Sequence, residues 1–123
     1  MNYGQMRNLR TGQVIAEQVW IADSYWTRLL GLLGRSELAP SKGLWIKPCR
    51  QVHMIGMRFS ISVWYLDKSG QVCGIIDELH PWKVSPYMRK ALSILELPVG
   101  WGEATNTVLG DKLVWEENPV GNP

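Results

Sequence analysis

Between Phe59 and Gly70 the chain first alternates and then turns. Phe59, Ile61, Val63 and Tyr65 fall on one side of an extended run, Ser60, Ser62, Trp64 and Leu66 on the other, and Asp67-Lys68-Ser69-Gly70 ends it. Side chains of a strand point to opposite faces with a period of two, so this run has one wholly apolar face and one mixed face. Asp at the first turn position and Gly at the last suit a reversal, and residues 71–77 return as the partner strand. A hairpin with such a face requires a larger sheet and a core behind it. That requirement points to a β-domain.

The rest of the chain supplies the other strands. Residues 5–9 and 13–21 flank Arg10-Thr11-Gly12 and read as an N-terminal hairpin. Asp23 or Ser24 offers a helix cap, and Trp26, Leu29, Leu30 and Leu33 recur at helical spacing before Gly34, which predicts one short helix near residues 24–33. Residues 37–43 form a loop and 44–46 a short strand ended by Pro48. Pro81 and Pro86 rule out a complete backbone ladder over 78–87, so that stretch is expected as surface loop. Residues 91–97 read as strand, 103–107 as a helical turn and 112–116 as a last strand. One β domain over 1–117 is expected, followed by a flexible tail at 118–123 with two Pro and a Gly.

Composition narrows the function classes. With 46% hydrophobic and 20% charged residues, 123 residues suffice for one ordinary core without a disulfide. The two cysteines, Cys49 and Cys73, are expected as free thiols. Thirteen Lys and Arg against eleven Asp and Glu leave a net charge of only +2, which argues against a nucleic-acid partner. No apolar run approaches the roughly 18 residues of a membrane span, and the first ten residues lack a secretory core. The chain reads as soluble and cytoplasmic, unless a leader has been removed. Seven Trp and four Tyr stand beside a single Phe, a bias toward rings with a polar handle that suits grooves and interfaces as well as cores.

About seven short strands and one early helix predict a mainly β fold, a compact sandwich or distorted barrel. Several blocks extend this reading. Arg28-Leu29-Leu30-Gly31-Leu32-Leu33-Gly34-Arg35, Val52-His53-Met54-Ile55-Gly56-Met57, Tyr65 through Val72, Leu95-Glu96-Leu97-Pro98-Val99-Gly100 and Gly110-Asp111-Lys112-Leu113 follow one another across nearly the whole chain. In these blocks the chain resembles domain of unknown function 192, a family of small bacterial and archaeal proteins. The resemblance implies a mostly β, jelly-roll-like domain and no established activity. It also marks a departure: Ser62 stands where such proteins commonly carry an acidic residue.

The chemistry-bearing residues give three function classes. The first is a non-catalytic binding or accessory module in which His53, Met54, Met57, Arg58, Trp82 and Trp101 line a Trp/Met groove for a small ligand, a glycan or a partner chain. Trp82 sits in a proline-bounded loop and Trp101 between two glycines, places where a large ring is hard to bury. The second is a metal- or Cys-dependent hydrolase using Cys49, His53 and His80, with Asp67, Asp77 or Glu96 as orienting carboxylate. A structural zinc site usually shows two paired ligand motifs, and this sequence has one, Cys49-x3-His53, so no metal and no cofactor is expected. Asp77, Glu78 and Glu96 are carboxylates whose spacing in three dimensions the sequence leaves open. The third is an oligomeric assembly factor, with monomer or weak homo-oligomer as the expected state. The binding module asks least of the residues present.

Overall fold

The computed structural model describes residues 3–24 and 37–117. Seven strands lie there: β1 (Tyr3–Asn8), β2 (Val14–Ala22), β3 (Lys42–Ile46), β4 (Ile61–Leu66), β5 (Val72–Leu79), β6 (Ser93–Leu97) and β7 (Leu113–Glu117). One helical turn, α1 (Trp101–Ala104), precedes β7. It begins two residues earlier than the sequence suggests, because Gly100 takes a left-handed conformation (φ 78°) and starts the turn there. The expected helix near 24–33 lies, but for Ser24, outside the described residues, as does the tail at 118–123.

All seven strands join one sheet in the order β5-β4-β6-β3-β2-β1-β7, curled into a half-barrel. The chain is mainly β, and of the two expected architectures the distorted barrel is the one that describes a single curled sheet. Every pairing is antiparallel except β2 with β3. Parallel neighbours cannot be joined by a tight turn, so the long link from Ala22 to Lys42 is a topological necessity. The two edge strands, β5 and β7, approach each other at one end. Gln71 bridges Lys112, the Val72 amide donates to Asp111 O at 2.8 Å, and the Leu113 amide donates to Gly70 O at 2.9 Å. Gly70 makes this closure possible, since its φ is 87° and a Cβ there would sit 2.9 Å from Leu113 O.

Curling buries both faces of the central strands. Trp64 and Leu66 of β4 join Met6, Val19, Leu95, Leu97 and Leu113 in an inner cluster, whereas Ile61, Val63 and Tyr65 join Ile46, Met54, Met57 and Ile94 in an outer one. The alternation read from the sequence is therefore correct, but the face expected to be mixed is buried too. Ser62 is tolerated there because its hydroxyl donates to Ile76 O (3.1 Å) and accepts from Trp64 Nε1 (2.9 Å). A buried indole N–H without such an acceptor would be costly, and a serine supplies one here without charge.

Asp111 fastens the closing end. Its carboxylate, almost fully buried, accepts from Arg10 Nε at 2.7 Å, Asn8 Nδ2 at 2.9 Å and the Val108 amide at 3.0 Å. The hydrogen bond from Arg10 leads the causes that hold this carboxyl well below the usual range. The end of β1, the β1–β2 turn and the loop before β7 are tied at one point.

Candidate functional site

The inner face of the half-barrel carries a groove of about 710 Å³. Its walls are set by the period of two. Leu44 and Ile46 of β3 enter the outer cluster, so Trp45 between them must face inward, where it packs against the inner one. Its Nε1 donates to Ser93 Oγ at 2.9 Å. From β7, Trp115 faces it with ring centroids 6.3 Å apart and planes tilted by 38°. The Trp115 ring lies against β1 at Gly4, where a Cβ would come within 2.7 Å of it. Glycine at position 4 is what lets the indole lie so close to the sheet. Met6, Leu66 and Leu113 complete the apolar lining, and Lys47, Lys68 and Lys112 stand around it. Lys47 Nζ sits 4.2 Å from the Trp45 ring centroid, a cation–π contact.

Asp67 is the carboxylate among the lining residues. Partial burial pushes its pKa up, but the Ser69 hydroxyl (2.7 Å) and the amides of Gln71 (3.0 Å) and Ser69 (2.9 Å) outweigh that and hold it below its ordinary value. All three of these bonds end on its Oδ1, which is committed to the turn.

The residues singled out in the sequence are distributed differently. Residues 52–54 run beside 82–85: the Met54 amide donates to Lys83 O, the Trp82 amide to Met54 O (both 2.8 Å), and His53 bridges Val84. His53, Met54 and Trp82 are thereby brought together along the backbone, yet Met54 and Met57 are buried in the outer cluster. Trp82 is 68% exposed and holds a left-handed φ of 69°, unusual for a bulky residue. Ile55, Val84 and Tyr87 are exposed on the same two segments, and Arg58 is exposed as well. Trp101 belongs elsewhere: it packs against the inner cluster and donates from Nε1 to Ile15 O at 2.6 Å.

Cys49 and His53 line one small pocket of about 160 Å³ with Ser24, while His80 lies outside it, exposed, with Nδ1 3.2 Å from Ser60 Oγ. Among the described residues no three His, Cys, Asp or Glu side chains are grouped to hold a metal. Both cysteines are free thiols, and Cys49 donates to Gln51 O at 3.2 Å. Burial first, then the charge of Asp67, pushes the Cys73 thiol up from its ordinary value, the reverse of what a nucleophile needs. Asp77 and Glu78 lie toward the exposed end of β5, whereas Glu96 is fully buried in β6 and partnered. No helix among the described residues is long and apolar enough to cross a membrane.

Trp45, Trp115 and the lysines beside them escape a reading of the sequence. The usable signal was the inward parity of Trp45 between two outward aliphatics. The meeting of β3 with β7 is a contact across about seventy residues, and no local pattern announces it.

Comparison with known proteins agrees with this fold. A UPF0127 protein of Thermococcus sibiricus is 32% identical over 117 residues, 89% of this chain and 73% of that one. A UPF0127 protein of Pyrococcus furiosus is 33% identical over 113 residues, 89% of this chain and 97% of that one. Among solved structures, a "putative transcription regulator" from Sinorhizobium meliloti 1021 superposes with a TM-score of 0.78 at 20% identity, covering 94% of this chain and 96% of that one. A protein of unknown function from Novosphingobium aromaticivorans gives the same TM-score at 19% identity, covering 92% and 85%. At such identities these two structures speak for the fold alone. Residues 6–115 match the model of domain of unknown function 192, described as "Uncharacterized ACR, COG1430", and the chain belongs to that family.

Proposed function

We propose that the chain is a non-catalytic binding module that holds a small ligand in the groove lined by the Trp45–Trp115 pair. The observation that carries this reading is a pair of half-buried indoles, packed on each other, beside an apolar floor. A groove of about 710 Å³ lies within the range of small-molecule sites, and rigid aromatic walls give contact area at little entropic cost. Trp45, Trp115 and Met6 line this groove, and Trp82, Trp101, Met54 and Met57 are not among its lining residues.

Each tryptophan side chain gives its own indole N–H signal in a nitrogen-15 correlation spectrum, so a fragment screen reads the site directly. Planar-ring fragments are expected to shift the Trp45 and Trp115 signals and leave that of Trp64, which is sealed in the inner core, in place. A screen in which no fragment moves Trp45 or Trp115 rejects the reading. A second reading has one observation in its favour: Trp82 is exposed in a strained conformation beside Ile55, Val84 and Tyr87, which suits a surface for a partner chain. Hits that move Trp82 alone would favour that surface.

A further inference from the structure

We infer that the ligand of the Trp45–Trp115 groove is a small organic anion, with a flat apolar body against the indoles and a phosphate or carboxylate at the rim; this rests on the groove being the binding site. A second depression of about 420 Å³ adjoins the groove and shares Asp67, Lys68, Ser69 and Leu92 with it. Arg50 and Lys90 line that second depression. Five of the chain's thirteen cations thus line two adjoining hollows, Lys47 and Lys112 the first, Arg50 and Lys90 the second and Lys68 both, and the combined lining carries a single carboxylate, Asp67.

Their partners, or lack of them, decide what this means. Arg7 pairs with Glu116 and Arg10 with Asp111, and none of the five is in either pair. Asp67, in the shared lining, gives its Oδ1 to Ser69 and Gln71 and is not within ion-pair distance of any of the five. In a chain of net charge +2 the remaining charges are nearly balanced, so this clustering is local and not a reflection of a basic protein. Unpaired like charges around a concave apolar wall raise the local concentration of anions and repel one another until one binds. An apolar floor adds a requirement that a bare ion does not meet. The size of the hollows sets the upper bound at a small molecule.

The test is calorimetric titration of the full chain with 1-naphthyl phosphate, 1-naphthoate, 1-naphthol and inorganic phosphate, at low and high salt. The two anionic naphthyl compounds are expected to bind at least about tenfold more tightly than naphthol or inorganic phosphate, and to weaken as salt rises. Their ratio tells phosphate from carboxylate. Lys68→Glu combined with Lys112→Glu should cost the anionic compounds about tenfold or more and leave naphthol unchanged, which also shows that the groove is intact. Naphthol binding as tightly as naphthyl phosphate overturns the anion while keeping the groove; inorganic phosphate binding as tightly overturns the apolar body. If none of the four binds up to about 1 mM, the groove itself fails as a site. A short single-stranded oligonucleotide that binds more tightly than naphthyl phosphate overturns the inference in favour of nucleic acid.

Discussion

Trp82 and Trp101 are alike in sequence, each large, each beside residues that turn the chain, and the fold treats them oppositely. Trp101 gives its N–H to Ile15 O and its ring to the inner cluster, whereas Trp82 is mostly in solvent. Trp101→Ala is expected to cost about 2–4 kcal/mol, near the lower end for a large buried ring because Trp101 is only half-buried. Trp82→Ala should stay within about 0.5 kcal/mol of the parent. Urea unfolding of both variants measures this, and equal losses would mean that Trp82 is a lid on the core. Local sequence could not separate the two, since what distinguishes them is whether β2 passes beneath the ring. Ser62 makes the same point in the other direction. It read as a small polar residue on a mixed face, and its neighbour two positions on turns out to need its oxygen.

At the scale of elements, the sheet is closed by a turn rather than by another strand. The Asp67–Gly70 turn carries the chain to where Gly70 O accepts from the Leu113 amide, and the hydrogen bonds of Val72 with Asp111 and Gly110 continue the join. Gly70→Ala meets both a left-handed φ and the Leu113 carbonyl, so a loss of about 1–3 kcal/mol is expected. Gly12→Ala shares the positive φ but has open space around its Cβ, and should lose less. Comparing their melting curves isolates the closure; equal losses would assign the whole effect to the backbone angle. The strands themselves were legible, because period-two alternation and Gly or Pro punctuation are local. The order β5-β4-β6-β3-β2-β1-β7 was not, because the parallel β2–β3 pair and the β1–β7 pair join segments far apart in the chain.

For the molecule as a whole, the Asp111 knot makes acid stability a readout of the closed end. Its folded pKa is depressed, so its contribution is fully present above the ordinary carboxylate pKa of about 4 and is lost as pH falls below that, when the unfolded chain takes up the proton first. Asp67 and Glu116 are also held below their ordinary values and act in the same direction, so the variant must be compared with the parent. Asp111→Asn should lower stability at neutral pH by about 2 kcal/mol and flatten the fall below about pH 4. Urea unfolding at several pH values tests this, and parallel curves for parent and variant would show that the acid limb arises elsewhere.

The sequence by itself determined that the chain is β-rich, where most of its strands begin and end, and that its blocks match one family, because these follow from side-chain parity, turn chemistry and local order. Only the tertiary structure decided that the sheet is single and curled, that Met54 and Met57 are core, and that Trp45, Trp115 and five cations gather around two adjoining hollows. The physical reason is common to all three. They depend on which distant strands lie side by side, and a side chain's parity says which face it takes without saying what that face will meet.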